Sequence, residues 1–137
     1  MKMTVVAGNA FGLQSPVEVL TPTLYVSLDF IIDASLRLPA EHEERALFPV
    51  SGELYLDGEP LPLNTLVVLD AGSEPILTAG GAARVMLLGG KALDGPRFVW
   101  WNFVSTSREK IEAAKLRWKS GDFESVPGET EFIPLPD

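Results

Sequence analysis

The sequence predicts an all-β domain carrying a single C-terminal helix, and three observations lead there. Turn formers punctuate the first hundred residues roughly every 8–12 positions, the spacing of a β-sandwich or barrel. Residues 24–32 alternate, with Leu24, Val26, Leu28, Phe30 and Ile32 on one face and Tyr25, Ser27, Asp29 and Ile31 on the other. A capped helical period appears once, after residue 105. At 137 residues the chain suffices for one core and is too short for two, so residues 1–137 are expected to form a single domain. Within it the barrel is expected over about 4–104, the helix over about 107–120 and an extended tail over 121–137.

The elements follow in order. After the strand at 24–32, residues 46–50 and 53–56 read as two short strands across Ser51-Gly52, and Asp57-Gly58 is a strong turn dipeptide. Residues 65–69, 75–78 and 83–88 are further strands, and Gly80-Gly81 and Gly89-Gly90 read as turns. Residues 97–104 form a bulky apolar run containing Trp100 and Trp101. In a strand these neighbours point to opposite faces, so one can fill the barrel while the other meets a second surface. Thr106-Ser107-Arg108-Glu109 has the spacing of a capping box, in which the Thr hydroxyl bonds the amide three residues on. Ile111, Ala114 and Trp118 line one helix face, and Gly121 stands where a C′ residue belongs. Pro127, Pro134 and Pro136 make the remainder an extended tail, with Phe123, Phe132, Ile133 and Leu135 as its available anchors.

Composition removes whole classes of function. There is no cysteine, hence no disulfide and no thiolate metal site, and His42 is the sole histidine. Eleven basic against nineteen acidic residues give a net charge of −8, which repels a phosphate backbone, so nucleic acid and anionic membrane are not expected as partners. The basic residues concentrate in 91–120, seven against three acidic, a pattern that reads as a solvated helix face. No run approaches the roughly 18 apolar residues of a membrane span, and the N-terminus lacks a signal core, so a cytoplasmic protein is expected.

The order of the pieces carries a resemblance. Leu38-Pro39-Ala40-Glu41-His42 precedes the strand ending in Ser51-Gly52-Glu53; Leu61-Pro62-Leu63-Asn64 follows, then Arg84 to Gly90 ending in "LLGGKAL", then "WWNFV", the capped helix and "VPGETEFIPLP". From about Val5 to Pro136 this resembles the carboxy-terminal half of pirin-like proteins, members of the cupin superfamily. The resemblance implies a single cupin-like antiparallel β-barrel (jelly roll). Pirin-like proteins look like two such barrels in a chain about twice this length. Some are linked to quercetin dioxygenase activity and some to regulation of transcription, with the metal and its histidines in the amino-terminal barrel.

Laid on this chain, the metal-binding motifs of cupins keep their turns and lose their ligands. Anchoring the first motif on Gly52 puts Arg45 at the glutamate position and the histidine pair on Pro39 and Glu41, or on Leu38 and Ala40. In the second motif Pro62-Leu63-Asn64 keeps the turn, and the histidine position becomes Val67. No cofactor is therefore expected; if a divalent transition metal such as Fe is held, His42, Glu44 and Glu41 are the residues available for it. No nucleophile–histidine pairing or phosphate-cradling loop is evident, so no catalytic residue is assigned. Trp100, Trp101, Trp118 and Ile111 are the interface candidates. The leading expectation is a metal-free cupin module acting as a homodimer or against a second cupin barrel. The alternatives are a metal-dependent dioxygenase of the quercetin 2,3-dioxygenase type and a barrel that carries a small apolar ligand.

Overall fold

The computed structural model describes residues 1–136, which fall into two compact units, Met1–Ala92 and the chain from Leu93 onward. The first unit is built from ten strands: β1 (Lys2–Ala10), β2 (Leu13–Gln14), β3 (Thr23–Phe30), β4 (Ala34–Arg37), β5 (Glu44–Ser51), β6 (Leu54–Leu56), β7 (Glu59–Pro60), β8 (Val67–Leu69), β9 (Ile76–Ala79) and β10 (Ala83–Gly90). They form two antiparallel sheets, ordered β2-β1-β3-β10-β5-β8 and β4-β9-β6-β7. Both sheets contribute to one core: Leu24, Val26, Leu28, Leu47, Val85 and Leu87 from the first meet Leu54, Leu77 and Ala79 from the second. Val26, Leu28, Leu47, Leu77 and Val85 are fully buried, each stabilising the fold by roughly 1.5–3 kcal/mol relative to exposure.

The alternation that predicts β3 holds from Leu24 to Phe30 and then stops. Ile31 and Ile32 lie in a bend and are 71% and 70% exposed. Gly89-Gly90 is not a turn: β10 runs through both, pairing Gly89 with Arg45 and Leu24. Here a side chain is sterically excluded, because a Cβ on Gly89 would overlap the carbonyl of Glu44. Asp57-Gly58 and Asn64 are turn residues as expected, with φ of 49°, 88° and 56°. β1 has no strict alternation to announce it. It carries a bulge between Val5 and Ala7 and pairs with β3 on either side of that irregularity.

On the outer face of the large sheet, Arg84 Nε donates to Asp29 Oδ1 at 2.5 Å. That bond holds the Asp29 carboxyl below its ordinary range, against a partial desolvation that pushes the other way. A carboxylate with a lowered folded value stabilises above the unfolded value, about 3.9, and that contribution is lost as pH falls through the folded value. Asp29→Asn should therefore cost no more than about 1 kcal/mol at neutral pH, because the pair is partly exposed. Urea titrations should show the gap from wild type closing below about pH 4; a gap that widens on acidification contradicts this assignment.

The second unit contains β11 (Phe98–Trp100), β12 (Phe103–Ser105) and α1 (Arg108–Lys119). The bulky apolar run at 97–104 is not one strand but a tight hairpin: Trp100 pairs with Phe103 across a turn at Trp101-Asn102, and Trp101 has φ of 49°. The two tryptophans are thus strand end and turn, not opposite faces of one strand. The helix begins one residue later than the capping-box reading. Ser107, not Thr106, is the N-cap, and its hydroxyl oxygen accepts the Lys110 amide while also bonding Glu109. Gly121, with φ of 69°, ends α1 as predicted, its amide donating to the Trp118 carbonyl.

Candidate functional site

Two of the residues singled out by the metal-motif comparison, Arg45 and Val67, lie on adjacent strands. On β5 the side chains of Arg45, Leu47 and Pro49 point inward, and β5 pairs with β8 so that Arg45 faces Leu69 and Leu47 faces Val67. Arg45 and Val67 are therefore diagonal neighbours on the same inner face, one strand apart. These are the positions where cupins place a glutamate and a histidine. Here one carries a guanidinium and the other an apolar side chain packed against the core.

Arg45 is only 2% exposed. Its Nη1 donates to the Pro39 carbonyl at 3.0 Å; its Nη2 donates to the carbonyls of Asp70 at 3.1 Å and Ser73 at 2.6 Å, and reaches Ser73 Oγ at 3.4 Å. Nε has no partner, and no carboxylate pairs with the guanidinium among the described residues. A buried cation is thus compensated mainly by main-chain carbonyl dipoles, with the Ser73 hydroxyl beside them. The fork geometry matters, since one planar group ties together two segments, one at residue 39 and one at 70–73. The charge pattern of the sequence gave no hint of this role.

The other members of the 41–44 cluster diverge. Glu41 Oε2 accepts the amide of Phe11 at 2.9 Å, in the turn joining β1 to β2, where Phe11 and Gly12 both have positive φ. His42 is 8% exposed, and its Nε2 lies 2.8 Å from the Asn9 carbonyl, the distance of a donated hydrogen bond. Glu43 accepts the Ala92 amide at 3.3 Å. Glu44 is exposed at the start of β5 and, with Glu43, rims an open cleft of about 500 Å³ floored by Ala46, Leu66, Val68 and Leu88. In the run beside Pro39 the three glutamates are exposed and only His42 is buried, and Glu41 and His42 fasten it to the β1–β2 hairpin. His42 and Glu41 serve separate contacts, and Glu44 lies apart from both at the start of β5. Among the described residues no group of three metal-ligating side chains converges.

The interface candidates occupy the second unit together. Trp101 packs edge-on to Trp118 with ring centroids 5.1 Å apart, and Trp100 stacks on Phe103 at 6.3 Å. The tail supplies both remaining rings: Phe123 stacks on Phe103 at 6.0 Å and Phe132 on Trp118 at 5.9 Å. Trp118 Nε1 donates to the Ile133 carbonyl at 2.8 Å, and Ile111 is 5% exposed. Lys115 and Arg117 lie over the rings of Trp100 and Phe123 at 4.1 and 4.4 Å. The basic helix face thus covers its own aromatic cluster as well as facing solvent.

The model of the pirin C-terminal cupin domain matches residues 25–124. A pirin-like protein of Caulobacter vibrioides is 40% identical over all of this chain, which spans 48% of that protein. A quercetin 2,3-dioxygenase crystal structure from Acinetobacter baumannii superposes over 98% of this chain and 47% of its own, with a TM-score of 0.86 and 29% identity. A second such structure from the same organism has a TM-score of 0.77 at 19% identity, a likeness of fold. The chain therefore spans about half the length of the relatives it matches. With the family model covering most of its length, and both antiparallel sheets and the capped helix in place, this chain belongs to the pirin family as a C-terminal cupin domain.

Proposed function

We propose that this chain is a metal-free cupin module, a single barrel that works by association, with itself or with a second cupin barrel, and not by chemistry of its own. The observation that carries the reading is Arg45. A guanidinium stands at the position of the motif glutamate, buried and bonded to three carbonyls, beside Val67 at the position of the motif histidine. A divalent ion at that end of the barrel would meet a fixed positive charge with a repulsion of the order of several kcal/mol at a separation of about 4 Å. His42 cannot turn to such an ion without giving up its contact with the Asn9 carbonyl, and Glu41 would abandon the Phe11 amide. The residues present do not fit a metal. The interior favours neither alternative, since the positions between the sheets are filled by Val26, Leu28, Leu38, Leu47, Leu77 and Val85. A cysteine-free chain of this charge suits the cytoplasm.

The rival reading is a quercetin 2,3-dioxygenase, the name borne by the Acinetobacter proteins, with a metal on His42, Glu44 and Glu41. One experiment separates the two. Protein purified without chelator, then incubated with Fe(II), Ni(II), Mn(II) or Cu(II) and desalted, should carry well below one metal per chain by mass spectrometry. Near-stoichiometric metal that disappears in His42→Ala, with turnover of a flavonol, sinks the metal-free reading.

A further inference from the structure

We infer that this chain pairs with a second copy of itself through the free edge of β8, in register about Val67, to join the two large sheets into one. The inference rests on the association reading above and names the surface that serves it. Four strands end the two sheets of the first unit: β2, β4, β7 and β8. Three of them are defended in the ways that natural edges are. β2 is two residues long, β7 is Glu59–Pro60, and β4 ends in Arg37 with Asp33 just ahead of it. β8, three residues long, has no charge or proline within it, and Asp70 follows at its Leu69 end. Residues 61–69 contain no ionisable side chain, although at the chain's 22% charge content a stretch of nine would hold about two.

The side chains along this edge are apolar and uncovered. Val68 is 75% exposed and Leu66 57%. Both alternate to the outer face, because Val67 and Leu69 turn to the core. The surface continues inward across the sheet: Val68 pairs with Ala46 and Ala46 with Leu88, and these three residues line the 500 Å³ cleft together with Leu66. The aromatic rings of the second unit, by contrast, are engaged with one another.

A second copy is the occupant whose chemistry matches. A two-fold axis at Val67 sets Leu66 of each copy opposite Val68 of the other on one face of an antiparallel ladder, giving two apolar cross-strand pairs. The charges also fit. Glu43 and Glu44 lie beyond the Leu69 end of the strand, since Arg45 pairs with Leu69, so the two acidic rims fall at opposite ends of the joined edge. Neutral Asn64 and Thr65 of the other copy meet each end instead. Like charges are kept apart and the open backbone edge of each copy is satisfied by the other.

The test is the mass in solution of the chain and of two exposed-site variants, Val68→Lys and Leu66→Lys, by light scattering from micromolar to about 100 μM. The expected result is a wild-type particle of twice 14.9 kDa. Each lysine variant should raise the dissociation constant by about 100-fold or more, because the two-fold brings two ammonium groups onto one apolar seam. Thermal melting at the lowest concentration should be unchanged, as both positions are exposed in the single chain; a variant that misfolds is set aside for the other. Amides of residues 66–69 should gain hydrogen-exchange protection as wild-type concentration rises. If the wild type dimerises and the lysine variants dimerise equally well, the β8 edge is excluded while the association reading stands. A wild type that stays monomeric throughout overturns the self-pairing altogether, whether or not another protein's strand binds there.

Discussion

Arg45→Met is expected to cost about 3 kcal/mol or more, the largest loss for any polar residue of this chain, read as a fall in the urea midpoint. Methionine fills much of the same volume but donates nothing, so the carbonyls of Pro39, Asp70 and Ser73 lose their shared donor. Each buried carbonyl left without a partner costs roughly 1–3 kcal/mol, offset in part wherever water can enter. Arg45→Lys tests the geometry separately. An ammonium has three donors but no planar fork, and its shorter reach serves fewer of the three carbonyls, so the loss should fall between wild type and methionine. Nε points the other way: it is buried with no partner, so part of the cation's desolvation is already uncompensated in the wild type. A loss under about 1 kcal/mol for methionine would show that this uncompensated cost cancels what the three bonds contribute.

That a buried arginine takes this place was only half legible in the sequence. The motif spacing from Gly52 puts residue 45 at the glutamate position, and in the structure it lies diagonal to Val67 on the inner face of adjacent strands. The spacing could not say that the side chain would be buried, because an arginine in a run of acids reads as surface. The partners of its guanidinium are main-chain carbonyls at 39, 70 and 73, which leave no signature in residue type. His42 misleads in the same way: its Nε2 bonds the Asn9 carbonyl, 33 residues away. The long periodic elements were readable, β3 from its alternation and α1 from its cap and C′ glycine. β1 was not, since its bulge breaks the alternation, and neither was the hairpin at Trp101, where a bulky residue holds a positive φ. In each miss a tertiary contact overrode local preference.

The second large effect separates two glycines that share a backbone conformation. Gly8 and Gly12 have φ of +78° and +72°, so alanine at either meets the left-handed penalty of about 1 kcal/mol. Their surroundings differ. At Gly12, in the turn between β1 and β2, an added Cβ meets nothing, so Gly12→Ala should lose only that conformational term. At Gly8 the same atom would overlap the carbonyl oxygen and carbon of Thr23, both main-chain atoms of the opposing strand. Gly8 is paired with Leu24 directly after the bulge, and its own carbonyl accepts the Ser15 amide at 2.9 Å. Relief of the overlap must therefore move β1 away from β3 and strain both sets of bonds. Gly8→Ala should cost about 3 kcal/mol or more, at least twice the loss at Gly12. Hydrogen exchange should place the damage in β1 and the start of β3, while amides of β9 and β6 in the other sheet keep their relative protection. Equal losses at the two glycines would mean that β1 shifts freely, and that the close approach at the bulge holds nothing in place.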